Sequence, residues 1–208
     1  MLSRSIIAYR PHQLSDVAAG LHYLHSRNVI HGDLKGVRDC FNPCFTAIPT
    51  PTQPNVLVDS SGCARITDFG LATVTKNLDS IRSAVGDKGH TARWTAPEIL
   101  NDEGTYSKEA DIFSFAMVMI EVRYGRPAVC KASAYFLFVS TQVFTGAVPF
   151  HSSLPAAAML AIMAGERPPR PTHQALTNEL WMLIQRCWNQ DYHLRPEISE
   201  VLQVLNGR

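Results

Sequence analysis

Between Ile112 and Ile120 every position of the chain but one, Ser114, carries an apolar side chain. A helix of that composition has no face to give to water, so it has to be the buried centre of something larger. Tyr106-Ser107-Lys108-Glu109-Ala110-Asp111 leads into it, with Ser107 placed to cap the first turn. The rest of the chain must wrap around this rod. At 208 residues, 46% hydrophobic and 18% charged, it has the length and apolar content for one domain with a sizeable core.

The wrapping segments read as helices. Leu14, Val17, Ala18, Leu21 and Leu24 recur at helical spacing, with Pro11 before them and Asn28 after. His22 and His25 lie beside that stripe and read as packed or surface imidazoles. Pro155 opens a further helix that Gly165 can end, and 177–188 and 196–205 supply two more, the last closed by Gly207. Val29-Ile30 is a short β segment. Val56-Leu57-Val58 and Ala64-Arg65-Ile66 flank Asp59-Ser60-Ser61-Gly62, which is hairpin turn chemistry. The predicted fold class is mainly α with a small β hairpin.

A formal charge of +1 offers no basic stripe, which disfavours nucleic acid as a partner. The five cysteines, Cys40, Cys44, Cys63, Cys130 and Cys187, form no C-x-x-C pair, so neither a disulfide framework nor a zinc site is expected, and a reducing, intracellular, cytoplasmic setting fits. The first ten residues hold too short an apolar run for a signal peptide. Residues 134–150 are apolar but broken by Gln142, Gly146 and Pro149, and fall short of the roughly 20 residues a membrane span needs. No membrane partner is expected.

The chemistry-bearing residues come in a fixed order. Val29-Ile30 runs into His31-Gly32-Asp33-Leu34, with Lys35 two positions beyond Asp33; Pro54-Asn55 and then Asp68-Phe69-Gly70 follow, and Ala96-Pro97-Glu98, Asp111 and Arg195-Pro196 come later. A carboxylate that can take a hydroxyl proton, a neighbouring ammonium, a carboxamide and a second carboxylate are what phosphoryl transfer from Mg-ATP requires. Each motif alone is weak. Together and in order they resemble the eukaryotic protein-kinase family, in its tyrosine-kinase-like branch of mostly Ser/Thr enzymes.

The resemblance implies a protein-kinase C-terminal lobe, an α+β kinase fold lacking the N-terminal β lobe, because no glycine-rich loop, β3 lysine or partner glutamate precedes the catalytic segment. It implies ATP and Mg²⁺ as cofactors and a protein substrate. Asp33 and Lys35 are then the catalytic pair, Lys35, Asn55 and Asp68 the cofactor-binding residues, and Asn55 and Asp68 the metal ligands. Lys35 resembles the Ser/Thr-specific pattern. Glu98 with Arg195 resembles a structural ion pair, and Asp111 a buried carboxylate that accepts backbone donors from the catalytic loop. The polar stretch 71–95, with Thr73, Thr75, Ser80, Ser83, Thr91 and Thr95, resembles the activation and substrate-docking segment. Gly32 departs from the family, which has an arginine there to clamp a phosphorylated loop. Activity impaired in this chain is the leading expectation; a catalytically dead binding lobe, or a fragment of an incompletely spliced product, are the alternatives.

Two stretches stand outside the pattern. Asp33 and Asn55 are 22 positions apart, where H-R-D-x-x-x-x-N sets them about five apart. Removing residues 37–53 restores that spacing, and removing 122–142 joins Glu121 to Val143-Phe144-Thr145-Gly146, a usual helix end and turn in the family. Both stretches begin Val-Arg and end Thr-Gln, which can be encoded as the two ends of a short intron. Three of the five cysteines fall inside them. The single domain 1–208 is therefore expected to carry two foreign inserts. Residues 38–52 should bulge outward with few contacts, and the apolar 134–140 should extend the central helix or add one. Stretching the loop costs only about 1.3 kcal/mol of closure entropy, too little to unfold a lobe.

Overall fold

The computed structural model describes residues 12–36, 38–39, 54–59, 61–68, 73–74, 91–101, 105–121, 129–130, 137–138, 148–172 and 176–207, with backbone alone at 38–39, 73–74, 129–130 and 137–138. Its centre is the apolar helix α3, Lys108–Glu121, in which Ile112, Phe113 and Phe115 to Ile120 are all buried. Ser107 caps it as expected, its Oγ accepting the Ala110 N–H at 3.1 Å. The lone polar residue of the run also has its partners. Ser114 donates to the Trp94 and Ala110 carbonyls, so it carries no unmet hydroxyl into the core.

Helix α1, Gln13–Ser26, buries Leu14, Val17, Ala18 and Leu21 and ends where Asn28 takes a φ of 55°. His12 stands at its start, and residues 1–11, Pro11 among them, lie outside the described ones. Two side chains of its first turn reach the hairpin: Asp16 accepts the Ala64 N–H, and Gln13 donates to the Gly62 carbonyl. The hairpin itself, β3 (Val56–Val58) and β4 (Ala64–Ile66), pairs antiparallel with Leu57 opposite Arg65. Its turn closes through Asp59, which accepts from the Ser61 and Cys63 amides, while Gly62 supplies a φ of 81°.

Around these stand the short α2 (Pro97–Leu100), α4 (Pro155–Met163), α5 (Asn178–Cys187) and α6 (Ile198–Asn206). Proline begins α4 and Gly165, at φ 85°, ends it; Thr177 caps α5 through the Leu180 amide. Helix α6 packs on α1, and α5 packs on α3. The mainly helical reading with a β hairpin holds.

More strand is present than the sequence suggested. β1 (Val29–Ile30) pairs antiparallel with β5 (Thr73–Val74), inside the stretch read as a polar segment. β2 (Arg38–Asp39) runs parallel to β3, so at these two residues the first insert is an added edge strand; the rest of the bulge expected over 38–52 lies outside the described residues. Backbone donors on the open edge of β3 explain this, since any extended segment can pair with them. In the second insert β6 (Val129–Cys130) and β7 (Leu137–Phe138) form an antiparallel pair. Within the stretch expected to be helical over 134–140, residues 137–138 are a strand, where Phe138 opposite Val129 suits a pleated surface; 134–136 and 139–140 lie outside the described residues. Helix α3 is described as far as Glu121; residues 122–128, and Val143 and Phe144, lie outside the described residues.

Candidate active site

The site starts from one buried carboxylate on α3. Asp111 is 1% exposed and accepts three hydrogen bonds: His25 Nε2 (2.8 Å) and the His31 amide (2.9 Å) at Oδ2, and the Gly32 amide (2.9 Å) at Oδ1. Three donors on one carboxylate fix the turn that follows β1. Gly32 passes through φ 75°, a conformation that glycine adopts without strain. The role anticipated for Asp111, accepting backbone donors, is the one it plays.

His25 was not foreseen as its partner. It occupies the Leu14, Ala18, Leu21 stripe of α1, and a histidine on a buried stripe needs a polar partner, which was the signal in the sequence. His31, fully buried, accepts the Asp33 N–H at Nδ1 and donates from Nε2 to the Thr67 carbonyl, a pattern that assigns the Nε2–H tautomer. This ring joins the turn carrying Asp33 to the residue preceding Asp68.

Asp33, Lys35 and Asn55 meet. Asp33 Oδ2 accepts from Lys35 Nζ at 2.6 Å and from Asn55 Nδ2 at 3.0 Å, and both charged side chains are 14% exposed. Asn55 also donates from Nδ2 to the Asp33 carbonyl (2.7 Å) and from its amide to the Lys35 carbonyl (2.8 Å). Its own carbonyl accepts the Thr67 amide, so β3 and the exit of β4 are tied at this point. Lys35 reaches further, to Thr91 Oγ1 at 3.3 Å. The sequence places Thr91 in the stretch that resembles an activation and substrate-docking segment without giving it a contact to Lys35, and nothing but its nearness to Ala96-Pro97-Glu98 could have singled it out. A small cleft beside Asp33 is lined by Gly32, Leu34, Thr91, Thr95 and Tyr106.

Asp68 follows Thr67 with φ 59° and an exposed side chain, while Phe69 and Gly70 lie outside the described residues. Among the described residues, Asn55 Oδ1 is the one buried side-chain polar atom without a hydrogen bond. An orphaned carboxamide oxygen one hydrogen bond away from the segment of an exposed carboxylate is an oxygen donor set that fits Mg²⁺. No cluster of three or more His, Cys, Asp or Glu residues forms among the described residues.

Glu98 and Arg195 make a bidentate ion pair, with contacts of 2.7 and 2.8 Å. Arg195 also donates to the Asn189 and Glu109 carbonyls and lies 5.1 Å from the Phe113 ring centroid. Arg167 approaches the same ring, and burial, with Arg195 nearby, pulls its guanidinium down to about 10. This is bracing, not chemistry. Arg93 similarly gives its guanidinium to the Pro149, Phe150 and Ser153 carbonyls, linking the run before α2 to the run before α4.

Residues 52–205 match the protein tyrosine and serine/threonine kinase family, and the chain belongs to that family. It is 32% identical over 194 residues to serine/threonine-protein kinase STY17 of Arabidopsis thaliana, covering 92% of this chain and 26% of that protein. With probable serine/threonine-protein kinase drkD of Dictyostelium discoideum it shares 31% identity over 194 residues, covering 92% and 12%. With serine/threonine/tyrosine-protein kinase HT1 of Arabidopsis thaliana it shares 29% over 191 residues, covering 91% and 37%. The chain thus spans about a quarter of the first of these relatives and a smaller or somewhat larger share of the others. No helix among the described residues is long and apolar enough to cross a membrane.

Proposed function

We propose that the chain is the C-terminal, substrate-side lobe of a protein kinase that phosphorylates Ser/Thr hydroxyls, and that these 208 residues, taken without an N-terminal lobe, transfer phosphate poorly. The supporting observation is that Asp33, Lys35 and Asn55 converge within hydrogen-bond reach although 22 positions separate Asp33 from Asn55. Asp33 positions the substrate hydroxyl and takes its proton. Its Oδ1 accepts no hydrogen bond from a described residue, so that oxygen is available to the hydroxyl, while Oδ2 is held by Lys35 and Asn55. Lys35, bridged to Thr91, neutralises charge on the transferring phosphate. Asn55 and Asp68 would hold Mg²⁺; bound Mg-ATP supplies the phosphoryl group and the charge neutralisation around it.

Impairment follows from what orients the phosphates. None of the 208 residues forms a glycine-rich loop with a following β3 lysine, and misplacing a reacting group by about 1 Å can cost roughly 100-fold in rate. Serine or threonine is favoured over tyrosine by Lys35 and by the names of the relatives, one of which includes tyrosine. An intracellular, cytoplasmic setting belongs to this proposal. A second reading, a lobe that binds protein partners without transferring phosphate, draws on the exposed Leu154 and Leu160 at α4.

The test uses labelled ATP with Mg²⁺ and mixed Ser, Thr and Tyr peptides. The 208-residue chain should label none above an Asp33→Ala control. Fused behind the N-terminal lobe of a relative, it should label serine and threonine and lose that labelling with Asp33→Ala. Labelling of tyrosine alone, or labelling that survives Asp33→Ala, would overturn the assignment.

A further inference from the structure

The two ends of the first insert lie against each other. A Cβ built on Gly36 would stand 2.7 Å from the Pro54 side chain and 2.9 Å from its Cα, and Gly36 itself has a φ of 58°. On either side of this contact the Lys35 carbonyl accepts the Asn55 amide at 2.8 Å. Join Gly36 directly to Pro54, and Lys35-Gly36-Pro54-Asn55 becomes a four-residue unit whose first carbonyl bonds the fourth amide. That is the hydrogen bond of a β-turn. Positive φ at the second residue limits the choice to types I′ and II′, and the proline ring, fixed near φ −65°, excludes I′, which needs positive φ at the third.

We propose that Lys35-Gly36-Pro54-Asn55 is a single type II′ β-turn, held open at the Gly36–Pro54 junction by an in-frame retained intron that encodes residues 37–53. The turn carries its own residue requirements. Glycine fills the one position where a side chain would be strained, and proline the one where its φ suits. The described insert residues, Arg38–Asp39, add to the free edge of β3 without displacing β4 from its other edge, so the hairpin is complete without them. The family match likewise begins at residue 52, as the insert ends.

The coding argument is independent of the geometry. Every valine codon begins GT, and glutamine has a codon ending AG, the two dinucleotides that bound a typical intron. Residues 37–53 start Val-Arg and end Thr-Gln, and so do residues 122–142. One such match would be weak; the same four residues at both out-of-pattern stretches are a repeat with a mechanism.

Two measurements test the proposal, and both read transcript or fold rather than phosphoryl transfer. Sequencing of transcripts against the genomic locus should show Gln53 encoded by CAG and a class of molecules joining codon 36 to codon 54. A CAA codon at Gln53, or transcripts that all retain codons 37–53, would overturn the intron. The protein lacking residues 37–53 should unfold cooperatively at or above the temperature of the full chain, with the Asn55 amide still protected from hydrogen exchange. In that variant Gly36→Ala should lower the midpoint while a Gly36→D-Ala peptide segment, ligated in, should not. An Asn55 amide that exchanges freely once the insert is gone, in a chain that still melts cooperatively, would overturn the turn; loss of cooperative melting would do so as well, by making the insert part of the fold.

Discussion

Asp111 is the side chain on which the turn at His31 and Gly32 depends. It is buried, and it accepts from two backbone amides of that turn together with the His25 ring. Leaving buried donors unmet costs about 1–3 kcal/mol each. Asp111→Ala should therefore destabilise the domain by about 3–5 kcal/mol in urea unfolding, whereas His25→Ala, which leaves the two amides satisfied, should cost less. An Asp111→Ala protein as stable as wild type would contradict the account. Arg195 and Glu98 offer a second case: the guanidinium is fully buried and the carboxylate 10% exposed. Removing either partner strands a buried charge, a loss of about 3–5 kcal/mol, and a double-mutant cycle should show that removing both costs less than the sum.

At the scale of elements, the helices were legible because burial imposes a period on them. Leu180, Leu183, Ile184 and Cys187 face inward on α5, and Ile198, Val201 and Leu205 on α6. Caps were legible too. Thr177→Ala should cost about 1 kcal/mol, seen as a lower thermal midpoint, because only its hydroxyl meets the Leu180 amide at that helix end. Of the two-residue strands only β1 was legible, as the short β segment Val29-Ile30. β2, β5, β6 and β7 are too short for an alternating pattern to register, and they exist because a neighbouring backbone edge has free donors and acceptors. In the candidate site, Asp33, Lys35 and Asn55 could be named from motif order alone. Thr91 could not, since its part is set by the approach of Lys35 from 56 positions away. Its hydroxyl is an acceptor for that ammonium, so in an active, lobe-complete enzyme Thr91→Ala should lower kcat while Thr91→Ser retains most of it. Equal losses in the two variants would assign the effect to the methyl group instead.

At the scale of the molecule, the described residues whose protonation bears on alkaline stability are Cys187 and the half-buried arginines Arg167 and Arg93, the last also lowered by burial. Burial pushes the Cys187 thiol from its ordinary 9.0 up to about 12, with a smaller push in the same direction from Glu200 and smaller opposing pulls from Arg186 and Arg195. The unfolded chain then releases this proton first. Its contribution is fully present below pH 9 and is lost as pH rises toward 12, so stability should fall with pH from about 9. Arg167 works in the opposite sense once pH passes about 10, because the folded state then sheds its proton before the unfolded one does. Urea midpoints measured between pH 9 and 10 should therefore decline, with the decline reduced in Cys187→Ala. A thiol reagent at neutral pH should modify the half-buried Cys63 before Cys187.

The amide of Asn55 on the carbonyl of Lys35 has a practical meaning as well. It fixes the distance between the two strands of chain that leave the catalytic turn, so the length of what runs between them drops out of the geometry of the cluster. Extra residues there are charged only the slow logarithm of loop closure, about 0.6 kcal/mol for each doubling. The junction of Gly36 and Pro54 is thus a docking port for engineering: a small ligand-binding domain grafted at this point would sit beside Asp33 and Lys35 on two closely spaced ends. Tension applied by such a graft would be felt first at the Asn55 amide, and through it at the carboxylate.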